Sequence, residues 1–127
     1  MKRVLVIDDD HLFRSMVCDT VRDAGYEVME APEGKAGLKV LKSSAVDLVV
    51  TDLFMPEKEG LETIRRIVKD HPTLPIIAIS GGMKGSTMDF LPMAKILGAA
   101  RVFHKPLDRK AFLAATRELL GEVPTGQ

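Results

Sequence analysis

Acidic, hydroxyl and amine side chains stand at the ends of four short apolar runs in this sequence. The triplet Asp8–Asp10 follows the first run, and Asp52 follows the third. Ser80 ends the fourth run, and Lys105 comes directly after the fifth. If the fold collects these side chains, the carboxylates repel one another by about 4 kcal/mol per pair at about 4 Å. They then stay ionised together only with a cation between them.

The kind of cation follows from the ligand atoms. The cluster offers only oxygen atoms, and the three histidines are too scattered along the chain to suggest ligands. Oxygen ligands favour a hard ion such as Mg²⁺. Two or three carboxylates that hold Mg²⁺ beside a phosphoryl oxygen are typical of a phosphoryl-transfer site. In such a site a carboxylate can itself be the nucleophile and form an aspartyl phosphate.

The elements that would position these side chains can be predicted from hydropathy. Five short runs rich in Val and Ile alternate with helix-like segments, and three of the runs are nearly continuously apolar, which is typical of strands buried on both faces. The runs are Arg3–Ile7, Tyr26–Ala31, Asp47–Thr51, Pro75–Ser80 and Arg101–His104. We therefore predict an α/β fold, a doubly wound five-stranded parallel sheet with helices on both faces. Ligands of such folds bind at the carboxyl ends of the strands, where the side chains above would meet.

The first helix is predicted from its apolar period. Asp10 is expected to cap its start, and Gly25 is a good stop just past its end. Its predicted inner face consists of Leu12, Phe13, Met16, Val17, Val21 and Ala24. Its predicted outer face consists of Arg14, Cys18 and Arg22, which places Cys18 near the surface.

The later helices are predicted over about Lys35–Lys42, over about Leu61–Asp70, from about Asp89, and after Asp108. Gly37 lies inside the second helix, where glycine costs about 1 kcal/mol against alanine, so either the backbone packs closely there or the helix is weak. A start near Asp89 places Pro92 in the first helical turn, where its missing N–H is harmless.

Composition excludes several classes of protein. The chain has 127 residues and a formal net charge of zero, without the basic excess that general nucleic-acid binding requires. No apolar run approaches the roughly 20 residues of a transmembrane helix. The single cysteine fits a reducing cytoplasm. We predict one domain over residues 1–121 and a short tail over 122–127. The charge is unevenly divided, at −5 over residues 1–63 and +5 over residues 64–127.

The motifs together resemble a CheY-like receiver domain of the two-component response-regulator family, with a flavodoxin-like fold. The resemblance spans essentially residues 1–121, and its pieces stand in the family's order and spacing. They are Val4-Leu5-Val6-Ile7-Asp8-Asp9, the segment 47–56 from Asp47 through Asp52 to Met55-Pro56, Gly60, Ile79-Ser80, Gly98-Ala99 and Lys105-Pro106.

The resemblance implies a role for each site residue. Asp52 would accept a phosphoryl group from a phosphohistidine, Lys105 would pair with a phosphoryl oxygen, and Ser80 would hydrogen-bond another. The Mg²⁺ ligands would be Asp8, Asp9, Asp52 and the backbone carbonyl of Phe54. The Lys105–Pro106 peptide bond is expected to be cis. The protein would be no enzyme beyond its own phosphotransfer and autodephosphorylation.

The implied partners are a sensor histidine kinase or a histidine phosphotransfer protein, and a downstream protein target. The signal would leave by phosphorylation-dependent protein contact or by phosphorelay to a second histidine protein. We expect a cytoplasmic single-domain regulator, a monomer or a weak phosphorylation-dependent dimer, with no direct contact to nucleic acid and no membrane insertion. The expected kinase-docking surface is the loop after Lys105 together with the outer face of the first helix (Arg14, Ser15, Cys18 and Arg22). The expected output side is basic and consists of Lys84, Lys95, Arg101, Arg109 and Lys110.

One position departs from the family pattern. Receivers often carry an aromatic residue three places before the pocket lysine, and here that position is Val102. Phe103 follows and should point to the opposite face of its strand. The usual aromatic switch is therefore in question, and the signal is expected to pass mainly through the loop Gly81–Met88 and the fourth helix.

Two other classes of protein share parts of the pattern. A haloacid-dehalogenase-like phosphatase would use Asp8 as nucleophile, but it would need a late acidic pair that does not follow Lys105. A phosphorylation-independent adaptor could keep only the fold. The complete set of site residues argues against an adaptor, because a degenerate pocket usually lacks one of them.

Overall fold

The computed structural model describes residues 1–53, 59–80 and 91–121. Within them a five-stranded sheet forms in which every neighbouring pair of strands is parallel. Its strands are β1 Arg3–Ile7, β2 Glu27–Ala31, β3 Leu48–Asp52, β4 Ile76–Ser80 and β5 Arg101–His104. They lie in the order β2-β1-β3-β4-β5. The predicted doubly wound sheet is confirmed, with strand bounds that match the apolar runs to within about one residue.

Helices cover both faces of the sheet. They are α1 His11–Asp23, α2 Gly34–Ser43, α3 Glu59–Asp70, α4 Leu91–Leu97 and α5 Arg109–Leu119. Helices α1 and α5 pack on one face, and α2, α3 and α4 pack on the other. Successive strand residues alternate between these layers, as Val4 and Leu5 show: one joins the α1/α5 cluster and the other the opposite cluster. The central strands β1, β3 and β4 are buried on both faces, which explains their nearly continuous apolar sequences.

The predicted ends of the helices are largely confirmed by the structure. The Asp10 carboxylate accepts hydrogen bonds from the backbone N–H groups of the first turn of α1, and Gly25 follows the helix at φ +100°. Asp108 caps α5 in the same way. Pro92 is the second residue of α4 and lies in its first turn, as predicted. The predicted start at Asp89 and the loop Gly81–Met88 lie outside the described residues.

The close-packing explanation of Gly37 is the one that applies. A Cβ atom on Gly37 would overlap the side chain of Ile7, which is fully buried at the centre of the sheet. The absence of a side chain therefore lets α2 approach β1 closely. This approach explains why glycine occupies a helix interior in spite of its conformational cost.

The predicted rotation of α1 about its axis is wrong in two places. Cys18 was expected near the surface, yet it is only 2% exposed, whereas Leu12 was expected inside and is 80% exposed. Arg14 and Arg22 were predicted to lie on the solvent-facing side of α1. The aliphatic part of the Arg14 side chain instead packs along the protein surface, and its guanidinium reaches the carboxyl ends of β1 and β2. An arginine of this kind does not mark a solvent face, and the buried face of α1 is rotated toward β2.

Cys18 is expected to be unreactive in the folded protein. Burial, reinforced by the nearby Glu30 carboxylate, raises the pKa of its thiol to about 11. At pH 8 only about a thousandth of such a thiol is the reactive thiolate. Iodoacetamide labelling followed by intact mass should therefore be very slow in buffer and rapid in urea, where the pKa returns toward its ordinary value of 9.0. The native rate should rise as the pH approaches 11, and labelling equally fast with and without urea would contradict the buried position.

Candidate functional site

The site forms where the chain leaves the carboxyl ends of the strands. Asp8 directly follows β1, and Asp52 is the last residue of the neighbouring β3. Ser80 ends β4, and Lys105 follows β5, its backbone N–H donating to the Ser80 carbonyl at 2.9 Å. The order of the strands reverses at β1, because β2 lies on one side of it and β3 on the other. Such a switch point is where doubly wound folds bind ligands.

Three carboxylates meet at this point. One oxygen from each of Asp8, Asp9 and Asp52 lies within 4.8 Å of the others. Asp8 is 2% exposed and Asp52 is 3% exposed, whereas Asp9 reaches solvent. Asp10 is turned away to cap α1, which confirms its predicted structural role. The three carboxylates that the resemblance implied as metal ligands therefore lie close to one another.

Burial dominates the electrostatics of the cluster and raises the pKa of Asp8. The N–H of Asp10, which donates to Asp8 Oδ1 at 2.8 Å, the charge of Lys105 and a side-chain hydrogen bond with Asp52 oppose that rise. These contacts do not offset the cost of burial. The donor set consists of hard oxygen atoms and keeps one solvent-facing carboxylate, which leaves room for water ligands. These features fit Mg²⁺, which binds through a few carboxylates and retains several waters.

The lysine completes the charged cluster. Lys105 Nζ lies 3.6 Å from Asp8 Oδ2 and 3.5 Å from Asp52 Oδ2. Its side chain is only 19% exposed. The Lys105–Pro106 peptide bond is cis, as the resemblance implied. One ammonium group thus contacts two buried carboxylates, and it balances only part of their charge.

Comparison with known proteins identifies the family. Residues 4–117 match the response regulator receiver domain. The chain is 31% identical over 120 residues to the transcriptional regulatory protein CpxR of Klebsiella pneumoniae, an alignment that covers 94% of this chain and 50% of that protein. It is 40% identical over 80 residues to the chemotaxis protein CheY of Thermotoga maritima, covering 62% of this chain and 67% of that protein. The chain belongs to the receiver domain family of two-component response regulators.

Solved structures agree with this assignment. A CheY-like receiver domain protein from Methanospirillum hungatei superimposes with a TM-score of 0.85 at 25% identity, over 95% of this chain and 94% of that one. This receiver spans about half the length of the first curated relatives that it matches. No helix in the described parts of the chain has the length and apolar character to cross a membrane. As a receiver, the chain is a phosphoacceptor signalling module.

The departure at Val102 is reflected in the packing of the receiver core. Val102 packs against the cluster on the α2/α3/α4 face. Phe103 lies on the opposite face, where its ring meets Phe112 edge-on at a centroid distance of 6.0 Å. The prediction that the two side chains point to opposite faces is confirmed. The position of the usual aromatic switch residue therefore holds an aliphatic side chain that is half-buried against the core.

Two residues that contact the receiver site, Arg14 and Phe13, were not predicted to lie there. Arg14 was expected on an exposed docking surface, yet its guanidinium donates to the backbone carbonyl of Asp8 at 2.7 Å and to Glu30 at 2.9 Å. Phe13 was expected only to pack in the core, yet the Lys105 ammonium lies 4.0 Å from the centroid of its ring. Their position one helical turn after the acidic triplet was the feature of the sequence that could have predicted these contacts. The backbone carbonyl of Phe54, predicted as a metal ligand, lies outside the described residues.

Gly60 supports the backbone that carries the proposed acceptor. A Cβ atom on Gly60 would lie 2.8 Å from both the Cα and the carbonyl oxygen of Leu53, the residue after Asp52. Backbone atoms cannot rotate away as a side chain can. The Gly60→Ala variant should therefore lose about 2 kcal/mol of unfolding free energy and incorporate phosphoryl groups more slowly, because α3 or the end of β3 must shift.

The control for this prediction is Gly37→Ala, which also places alanine in a helix. Its Cβ would overlap Ile7 Cδ1, and Ile7 is fully buried, so urea unfolding should show a loss of stability in this variant too. Its rate of phosphoryl incorporation should fall less than that of Gly60→Ala, because its Cβ meets no backbone atom next to Asp52. Equal incorporation rates in the two variants would show that contact with the Leu53 backbone does not matter.

Proposed function

We propose that Asp52 is the phosphoacceptor of this receiver and takes its phosphoryl group from a phosphohistidine of a sensor kinase or phosphotransfer protein. The observation that carries this proposal is the position of Asp52. Its buried carboxylate lies at the end of β3, within the acidic cluster and 3.5 Å from the Lys105 ammonium. An acceptor needs an ionised oxygen with positive charge nearby to receive the transferred group.

Asp8, Asp9 and Asp52 would hold Mg²⁺, together with the backbone carbonyl of Phe54. Bound there, the ion would supply positive charge next to the oxygens of the phosphoryl group. Asp52 attacks the phosphorus atom, the P–N bond of the phosphohistidine breaks, and the imidazole nitrogen keeps the electron pair of that bond. An acyl phosphate results.

Lys105 and Ser80 would bind the transferred group. The ammonium of Lys105 already contacts the carboxylate that becomes the acyl phosphate, so it can pair with a phosphoryl oxygen. Ser80 is 6% exposed at the end of β4, the strand next to β3, where its hydroxyl can donate to another phosphoryl oxygen. Both groups would stabilise charge that builds up on the equatorial oxygens during transfer.

The partner surfaces need revision from the sequence interpretation. Cys18 is buried and Arg14 is bound at the strand ends, so these two side chains do not offer the contacts expected of them. Ser15 is half-buried and Arg22 is exposed, so both can still belong to a docking surface. Leu12, 80% exposed in the first turn of α1, is a large apolar side chain that this helix presents to solvent. On the basic output side, Arg101 is engaged by Glu118 at 2.5 Å, and Lys95 remains exposed on α4. Lys84 lies outside the described residues.

The chain would act on a downstream protein by phosphorylation-dependent contact, or it would pass its phosphoryl group on in a phosphorelay. It would be a monomer or a weak phosphorylation-dependent dimer. In support, one relative, the CAI-1 autoinducer sensor kinase/phosphatase CqsS of Vibrio cholerae, matches over 88% of this chain and only 16% of its own length. A sequence like this one therefore also occurs within a much larger sensor kinase. The occurrence of similar sequences in proteins of such different size supports a domain that signals through contacts with other proteins.

The test is phosphorylation without a kinase. The protein is incubated with acetyl phosphate and either Mg²⁺ or EDTA, and intact mass is recorded. One phosphoryl group should appear with Mg²⁺ and be absent with EDTA, and borohydride reduction followed by peptide mapping should place it on Asp52. A group mapped to Asp8 would instead favour a phosphatase-type nucleophile, and no uptake at all would contradict the proposed function.

A further inference from the structure

We propose that Phe13 is a positioning residue for the pocket lysine, because its ring holds the Lys105 ammonium against the two buried carboxylates. The proposal rests on the phosphoryl-transfer function proposed above and deepens it. It gives a role to a side chain that carries no charge and that the acidic cluster does not include.

The geometry places one cation in contact with three partners. Lys105 Nζ lies 4.0 Å from the centroid of the Phe13 ring, 3.6 Å from Asp8 Oδ2 and 3.5 Å from Asp52 Oδ2. A cation within about 6 Å of a ring centroid is attracted by the negative face of the ring. The attraction is strongest where water is excluded, and the Lys105 side chain is only 19% exposed. The ring therefore contributes to where the ammonium rests.

The carboxylates alone are poor at fixing this lysine. Both Nζ–O distances exceed the roughly 2.7–2.9 Å of a charge-assisted hydrogen bond, so neither is a short directional contact. The lysine stem is flexible, and its ammonium is strongly hydrated. An apolar ring against the ammonium occupies space that water would otherwise fill. It thereby limits the positions that Nζ can take within reach of Asp52.

Phe13 is itself firmly held. Its backbone N–H donates to Asp10 Oδ1 at 3.2 Å, and its side chain packs against the cluster on the α1/α5 face. The N–H of Asp10 in turn donates to Asp8 Oδ1 at 2.8 Å. The first turn of α1 thus connects the ring to the acidic cluster. Contact with this ring therefore fixes the position of the Lys105 ammonium relative to Asp8 before any phosphoryl group arrives.

The experiment compares Phe13→Leu with Phe13→Tyr in the full chain. Leucine keeps an apolar side chain but lacks the π face, whereas tyrosine keeps the ring. The rate of phosphoryl incorporation from acetyl phosphate should fall about fivefold to thirtyfold in Phe13→Leu, the range that the loss of one such contact predicts. It should stay within about twofold of wild type in Phe13→Tyr.

A second measurement reports on the contact itself. In the wild-type protein without Mg²⁺, the ring should shift the Lys105 Cε proton resonances upfield in a ¹H–¹³C spectrum. The shift should persist in Phe13→Tyr and vanish in Phe13→Leu. Urea unfolding of all three proteins shows whether a slow variant is simply less folded.

Three results would overturn the proposal. They are an absent upfield shift in the wild-type protein, a Phe13→Leu rate within about twofold of wild type, and equal losses in the leucine and tyrosine variants. Equal losses would assign Phe13 a packing role only. Failure of the proposed function would look different, because the wild-type protein would then take up no phosphoryl group on Asp52 while its ring-current shift remained.

Discussion

An Asp52→Asn variant is expected to take up no phosphoryl group from acetyl phosphate and to unfold less readily than the wild-type protein when Mg²⁺ is absent. The first effect follows because asparagine offers no carboxylate oxygen to attack phosphorus. The second follows from the buried charges: Asp8 and Asp52 are almost fully enclosed and share one ammonium. Removal of one carboxylate relieves a repulsion of up to about 4 kcal/mol, offset in part by its lost contact with Lys105.

The sign of the stability change depends on the metal. In EDTA the unfolding free energy of Asp52→Asn should exceed that of wild type by about 1–3 kcal/mol. With millimolar Mg²⁺ the difference should shrink, because the wild-type cluster gains a ligand that binds only the folded state. Urea titrations of both proteins in EDTA and in Mg²⁺ measure the four unfolding free energies.

Asp10→Asn is the matched control for this prediction. Asp10 is exposed and caps α1, and asparagine caps helices about as well as aspartate. This variant should keep wild-type phosphorylation and nearly wild-type stability in both conditions. A less stable Asp52→Asn protein in EDTA would mean that the ion pair with Lys105 outweighs the repulsion between the carboxylates, contrary to this account.

Lys105→Ala should have the opposite effect on stability. It removes the cation that faces two buried carboxylates, and breaking a buried pair in this way costs about 3 kcal/mol or more. Urea unfolding in EDTA should show that loss, and added Mg²⁺ should recover part of it. Phosphoryl incorporation on Asp52 should slow by about 100-fold, as expected for the loss of one preorganised charge at a reacting oxygen.

The control for Lys105→Ala is Lys95→Ala, since Lys95 is exposed on α4, away from the cluster. It should change neither stability nor the rate of phosphoryl incorporation. A Lys105→Ala protein that is as stable as wild type in EDTA would show that the carboxylates do not depend on this ammonium. An unchanged incorporation rate would remove Lys105 from the proposed mechanism.

Much of the site could be predicted because the geometry of a parallel sheet is simple. Side chains that follow parallel strands meet at one edge, whatever the details of packing. The positions of Asp8, Asp52 and Lys105 directly after apolar runs therefore sufficed to predict that they meet. The Asp10 cap was predictable for a similar reason, because the contact is local to one helical turn.

The amino-acid pattern was thus sufficient to predict the strands, the parallel direction in which they run, and the acidic cluster with its lysine. The rotation of α1, which buries Cys18, exposes Leu12 and brings Phe13 to Lys105, could be read only from the folded protein. The helical period defines an apolar stripe only to within a residue or two on either side. The packing of the whole α1 face against β1, β2 and α5 selects one rotation, and with it the side chains that reach the site.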